Sequence, residues 1–301
     1  MTLQVLAVVL AAFTTSSPPA PSQVSSQPST QVFNGPVARG AWFRLRNLKG
    51  NIEVRESSGR NVVVSANRRS GSGYDDVTFD VRRDGANVTV CAIWPRTTRC
   101  DANGYDYDWD SRASRERRTG DVDFVVELPK GIKLVAATGN GEVEVRNTGT
   151  EVEASSGNGK VTVLGADGRV RASSGNGDLD VERARGEVEA SSGNGDIKVS
   201  TSIGPVSAST GNGRIDVDMA SLRSSDDMDF STGNGTIDVR FPSNLSAVVE
   251  ANVPVKNLET DFPMEMAARW SSRHVEGKIG NGGRRIRFST GNGHVRIRKI
   301  G

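Results

Sequence analysis

The tripeptide Gly-Asn-Gly begins at residues 139, 157, 175, 193 and 211, a constant step of 18, and recurs at 233, 280 and 291. A short fixed period means that no single unit buries its own apolar face, so neighbouring units must stack to make a core. Each unit of 18 divides into two nines, for example EVEASSGNG with KVTVLGADG, and RVRASSGNG with DLDVERARG. Every nine starts polar–apolar–polar–apolar and then breaks at glycine. That alternation has the period of a β-strand. Val143 and Val145, Val161 and Val163, Leu179 and Val181, and Ile197 and Val199 fall on one face, with Glu, Asp, Lys and Arg on the other. The inward residues are small or β-branched, which suits a narrow space between two close sheets.

The pattern predicts an all-β, single-stranded β-solenoid with 18-residue coils made of two nine-residue halves. Its turns are Gly139-Asn140-Gly141, Gly157-Asn158-Gly159, Gly175-Asn176-Gly177, Gly193-Asn194-Gly195 and Gly211-Asn212-Gly213. An antiparallel meander turning every nine residues fits the same period, but unlike halves repeating in step favour like stacking on like. Stacking would align Asn158, Asn176, Asn194 and Asn212 in one hydrogen-bonded column. Composition agrees with a slim core. Hydrophobic residues make up 35% and aromatics 5%, and Gly accounts for 34 of 301 residues. With 38 basic against 36 acidic residues and a net charge of +2, a disordered polyelectrolyte is excluded, as is a polytopic membrane protein.

The chain divides into a leading segment 1–36, an N-terminal β region 37–130, and the repeat region 131–301 with an irregular stretch at 241–283. Leu3–Phe13 is an apolar run of the length of a signal-peptide core, too short to span a bilayer, and a Ser/Thr/Pro/Gln-rich linker follows it. This predicts an exported protein, periplasmic or on the cell surface. Cys91 and Cys100, with eight residues between them, are predicted to close one hairpin as a disulfide in that compartment. Met264–Trp270 reads as a short helix or cap.

Leu45-Arg-Asn-Leu-Lys-Gly-Asn-Ile-Glu-Val54, the Ser/Thr-Gly-Asn-Gly turns, Asp261-Phe-Pro263, Gly277–Gly283 and Ile286–Ile297 together resemble the bacterial "putative adhesin" β-strand-repeat family of the DUF4097 type, related to the head-GIN auto-transporter adhesins. The resemblance covers roughly residues 37–301. It implies an exported, β-helix-like envelope or surface protein with no catalytic residues to carry over.

Few positions invite chemistry. Asp101, Asn103, Asp106, Asp108 and Asp110 offer hard oxygen ligands and are calcium candidates, although their spacing is not that of an EF-hand. Tyr105, Tyr107 and Trp109 would share one face of an extended loop and could touch a sugar or a partner. Leu179 stands where a calcium-roll aspartate would be, and strands rather than helices follow the Gly-Asn-Gly turns, so these turns read as structural. His274 and His294 have no catalytic context. Arg284, Arg285, Arg287, Arg296, Arg298 and Lys299 form a basic C-terminal run without an acid, which reads first as solvated strand faces whose charge deters edge-to-edge pairing at the solenoid end, and alternatively as a site for docking to anionic envelope polymers or lipid head groups. No nucleic-acid motif and no cofactor motif is present. The expected function is a non-catalytic, adhesin-like binding or structural module whose partner is a glycan, a lipid head group or a protein of the envelope. The alternatives are a carbohydrate-active enzyme on a β-helix scaffold and a scaffold in envelope stress signalling.

Overall fold

The computed structural model describes residues 29–68, 77–108, 120–201, 203–222, 225–267 and 271–300. The apolar run Leu3–Phe13 lies outside the described residues. Thr30–Gly35, at the end of the stretch read as linker, is a strand that pairs antiparallel with Val62–Arg68.

Two long sheets face each other, and ten coils each give one strand to both. In stacking order, coil 1 is Asn87–Ile93 with Val122–Pro129, coil 2 is Trp42–Lys49 with Ile52–Ser57, and coil 3 is Lys133–Asn140 with Val143–Thr148. Coil 4 is Val152–Asn158 with Val161–Ala166, coil 5 Val170–Asn176 with Leu179–Ala184, coil 6 Val188–Asn194 with Ile197–Thr201, and coil 7 Val206–Asn212 with Ile215–Met219. Coil 8 is Met228–Asn234 with Ile237–Phe241, coil 9 Arg284–Asn292 with Val295–Lys299, and coil 10 Ala247–Asn252 with Leu258–Thr260. We call the first-named strands sheet I and the second-named sheet II. Every pairing between consecutive coils is parallel, as a solenoid requires and a meander forbids.

Register follows the 18-residue repeat, so like stacks on like: Val152, Val170, Val188 and Val206 in one row, Ala154, Ala172, Ala190 and Ala208 in the next. These residues are at most 2% exposed. The aromatic core lies instead toward the ends. Phe43 and Phe124 are buried at one, and Phe230, Phe241 and Phe288 at the other, with the Phe230 and Phe288 rings stacked at 5.4 Å. Alanine keeps the sheets close in the middle, and phenylalanine fills the wider space beneath the caps.

The stacking order departs from the chain order in the same way at both ends. Coil 2 carries the N-terminal part of the chain, yet it lies between coil 1 and coil 3, which the chain forms later. Coil 9 carries the C-terminus and lies between coils 8 and 10. Antiparallel strands close the ends: Val62–Arg68 and Thr78–Asp84 outside coil 1, and His274–Ile279 with Met264–Met266 outside coil 10. Met264–Met266 is thus an edge strand rather than the expected helix, because its backbone pairs with Gly277–Ile279. The Gly-Asn-Gly at 280 is no coil corner either. It makes the tight turn that leads into coil 9, with Gly280 at φ 59° and Gly282 at φ 77°.

Candidate functional site

At the repeat corner, the Asn side chain points along the stack. Asn158, Asn176, Asn194, Asn212, Asn234 and Asn292 each donate from Nδ2 to Oδ1 of the asparagine one coil before, a chain that starts at Asn140 with distances of 2.7–2.9 Å. The inward Ser or Thr ahead of each turn donates to the carbonyl of the preceding coil's second glycine: Ser156 to Gly141, Ser174 to Gly159, Ser192 to Gly177 and Thr210 to Gly195. A Cβ on Gly157, Gly175 or Gly193 would lie 2.4–2.5 Å from the carbonyl oxygen of the glycine below. The whole Ser/Thr-Gly-Asn-Gly motif therefore serves stacking: a buried hydroxyl satisfies a buried carbonyl, glycine permits the approach, and asparagine pairs with itself.

The disulfide joins Cys91 to Cys100, with a Cα separation of 6.2 Å. It ties the loop between the two strands of coil 1 to the outer face of sheet I. Arg46 strengthens the attachment, donating from Nε and Nη2 to the carbonyls of Asp101 and Ala102 at 2.8 Å each. The acidic residues of that loop are each occupied separately. Asp101 Oδ1 accepts the backbone N–H groups of Asn103 and Gly104, the first of which does most to hold its carboxyl below the usual range. Asp106 pairs with Arg99 and Asp108 with Arg96. Among the described residues these carboxylates do not converge as a metal cluster; Asp110 and Trp109 lie outside them. Tyr105 is turned inward, its hydroxyl 2.7 Å from Thr97 Oγ1 and 3.1 Å from the Ala92 carbonyl, and burial pushes its phenol up to about 12. Tyr107 packs under the Arg96 guanidinium. Among the described residues, Tyr105 and Tyr107 are therefore engaged within the fold rather than forming an open aromatic face.

The basic C-terminal run is largely neutralised by the insertion of coil 9. In register, Arg287 lies between Asp229 of coil 8 and Glu250 of coil 10, and Arg296 between Asp238 and Glu259. Arg285 and Arg287 pair with Glu250, Arg296 with Glu259, and Arg298 with Asp238, which is 1% exposed. Arg284 is partly buried, which pulls its guanidinium below its ordinary value. Lys299 rests on the Phe262 ring. His274 Nδ1 lies 2.8 Å from Asn252 Oδ1, and His294 occupies an outward corner slot.

Along the walls, charges pair from coil to coil. Arg171 bridges Glu153 and Glu189, and Arg169 bridges Glu187 and Glu189 on sheet I. Arg240 binds Asp216 and Asp218 on sheet II, and the Asp218 bond in particular raises its pKa.

A group of unpaired cations lies at the corner where sheet II returns to sheet I. Two adjoining hollows of about 530 and 350 Å³ share Glu56 and Lys130. Arg39 and Arg60 line the first, and Arg183 and Arg185 the second. Lys130 pairs with Glu56 at 3.1 Å and Arg185 with Asp167 at 3.3 Å. Arg39, Arg60 and Arg183 are exposed and have no charged or hydrogen-bonding partner among the described residues. Sequence reasoning missed this groove because its cations come from four separated places in the chain. The one readable signal is Arg183, which occupies the corner position held by Asn147 and Gly165 in the two preceding coils. All three are left-handed, at φ 53°, 75° and 55° for 147, 165 and 183. Asn and Gly adopt that conformation readily, whereas Arg does so at a cost.

Parallel sheets closed into stacked coils, with an asparagine column and inserted terminal coils, define a capped two-sheet β-solenoid. The sequence matches the Toastrack DUF4097 family over residues 44–298, and the chain belongs to that family. Two solved structures show a likeness to the chain. One, described as a "putative adhesin" from Bacteroides fragilis, is 13% identical, with TM-score 0.45 over 91% of this chain and 98% of that one. The other, described as a "putative cell adhesion protein" from Clostridium sporogenes, is 8% identical, with TM-score 0.24 over 91% of this chain and 100% of that one. No curated protein matches the sequence. Among the described residues no helix is long and apolar enough to cross a membrane.

Proposed function

We propose that the protein is an exported, non-catalytic, adhesin-like binding module of the cell envelope. The observation that carries this reading is the pair of continuous walls, on which outward charges repeat coil by coil and pair along the stack. Such a surface suits extended contact with a long partner, whereas catalysis requires groups that converge on one reacting point. The apolar run Leu3–Phe13 and the Cys91–Cys100 bond support an oxidising, extracytoplasmic compartment. The names of the two similar structures agree with this reading without carrying it.

Cell fractionation with thiol labelling tests the export. The protein is expected outside the cytoplasm, with neither cysteine labelled until a reductant is added; two freely labelled thiols in a cytoplasmic fraction would sink the claim. The purified full chain is further expected to release no reducing ends from envelope polysaccharides, and sustained release would show that it is an enzyme.

A further inference from the structure

We infer that the corner groove binds a linear acidic polysaccharide through the carboxylates of its sugar units. This rests on the reading of the chain as a non-catalytic binding module and names the site and the ligand chemistry.

The charge comes first. The whole chain carries a net charge of only +2, yet the two joined hollows gather five cations against two carboxylates. Most other arginines among the described residues have an acid or a carbonyl as partner, including Arg285, Arg287, Arg296 and Arg298 of the basic C-terminal run. Arg39, Arg60 and Arg183 are left open to solvent with no acid among the described residues. A guanidinium presents a planar fork that matches a carboxylate in two-point contact.

Shape comes second. From coil 2 to coil 5 the corner runs three ladder steps, about 14 Å at the usual strand spacing. The cations are strung along this line rather than set around one point. That arrangement suits a chain with charges at intervals rather than a single small anion.

The lining between the cations comes third. Ser58 and Asn147 supply hydroxyl and amide groups, and Val37 and Ile132 form part of the apolar wall. Hydroxyls and amides beside cations suit a sugar ring bearing a carboxylate better than a bare phosphate chain.

Arg183 points the same way. It holds a left-handed backbone that a glycine would adopt freely, and no packing or ion pair accounts for an arginine there. Strain without a structural return is a signature of a functional position.

The test uses the full chain and calorimetric titration with oligogalacturonate. Its methyl-esterified form, inorganic polyphosphate and phosphatidylglycerol vesicles serve as separate arms. Oligogalacturonate is expected to bind, more weakly as salt rises, and the ester is expected not to. The triple variant R39A/R60A/R183G is expected to bind about tenfold or more weakly, from three lost exposed charge contacts. An equal charge loss at Lys198, Lys256 and Lys278 is expected to leave the affinity within about twofold, and circular dichroism checks that both variants are folded. Equal binding of the ester, preference for polyphosphate or vesicles, or an unchanged triple variant would each overturn the inference and leave the binding-module reading standing. Depolymerisation of oligogalacturonate during the titration would instead overturn the non-catalytic reading and keep the groove as its site.

Discussion

Replacing Gly193 by alanine isolates the physical basis of the stack. Gly193 has no need of a left-handed backbone, so the substitution costs nothing in its own conformation. The added Cβ would instead lie 2.4 Å from the carbonyl oxygen of Gly175 in the coil below. Ordinary contact begins near 3.4 Å, so the two coils must separate by about 1 Å at that corner. Overpacking of this kind costs about 1–3 kcal/mol. Separation also strains the Gly177 N–H bond to Asn194 O, at 2.8 Å, and the Asn194–Asn176 amide bond, at 2.9 Å. Each is worth about 1 kcal/mol, and the total comes to about 3–5 kcal/mol. Gly149 supplies the control, because its added Cβ would meet nothing closer than 3.9 Å. Gly149→Ala should be neutral or stabilising by about 0.4–1 kcal/mol, through the less flexible unfolded chain. Thermal unfolding followed by circular dichroism is expected to show a fall of about 6–14 °C for Gly193→Ala and no fall for Gly149→Ala. If both variants lose the same amount, or Gly193→Ala melts with the wild type, the close approach of coils is not what the repeat glycines provide.

Three further outcomes follow from the structure. Asn176→Ala removes two amide bonds of the column, to Asn158 and from Asn194, and should cost about 1–2 kcal/mol in urea unfolding; Asn292→Ala removes the one to Asn234 and should cost about half as much. Burial raises the Tyr105 phenol from its ordinary 10.0 to about 12, so its contribution is complete below about pH 10 and is lost as pH climbs through about 12. Relative to Tyr105→Phe, the wild type should lose about 1–2 kcal/mol over that window, a figure discounted for the ring's partial exposure. Asp238→Asn removes the buried acid that faces Arg214 and Arg298 at 3.4 and 3.2 Å. It should cost about 2–3 kcal/mol, since both arginines stay solvated, and hydrogen exchange should speed up first in residues 284–299.

The regular coils were legible because one row of side chains repeats one contact. Val152 lies on Val170 and Asn158 on Asn176 by the same 18-residue count that appears in the sequence. Strands Phe43–Leu45, Ile52–Val54 and Val88–Val90 were legible by alternation alone, but not their order, since nothing local in Trp42–Lys49 states that its neighbours are Asn87–Ile93 and Lys133–Asn140. At the other end, Asn292 lies on Asn234 across 58 residues, a partnership that periodicity cannot count. Charge could have supplied it. Arg287 and Arg296 are basic on a coil whose neighbours offer Asp229 and Glu250, and Asp238 and Glu259, at the same register. Read as a run along the chain, those cations suggested solvated strand faces or a docking surface; placed between acidic coils, they hold the coil in position. The groove was illegible because Arg39, Arg60, Lys130, Arg183 and Arg185 meet only through crossovers of the chain at one corner.

The insertion of coil 9 has a mechanical consequence. A tug on the C-terminal side would draw Val295–Lys299 lengthwise, laced as it is to a parallel neighbour on either side, whereas a tug on the N-terminal side would first load Thr30–Gly35, an outermost strand held, among the described residues, only by Val62–Arg68. The lacing on both flanks of Val295–Lys299 would have to give way nearly at once, in shear, where an outermost strand could be peeled away bond by bond. Forced opening is governed by the rate of that first rupture rather than by equilibrium stability. A tether secured in this way would resist a sudden jerk better than its slim interior suggests.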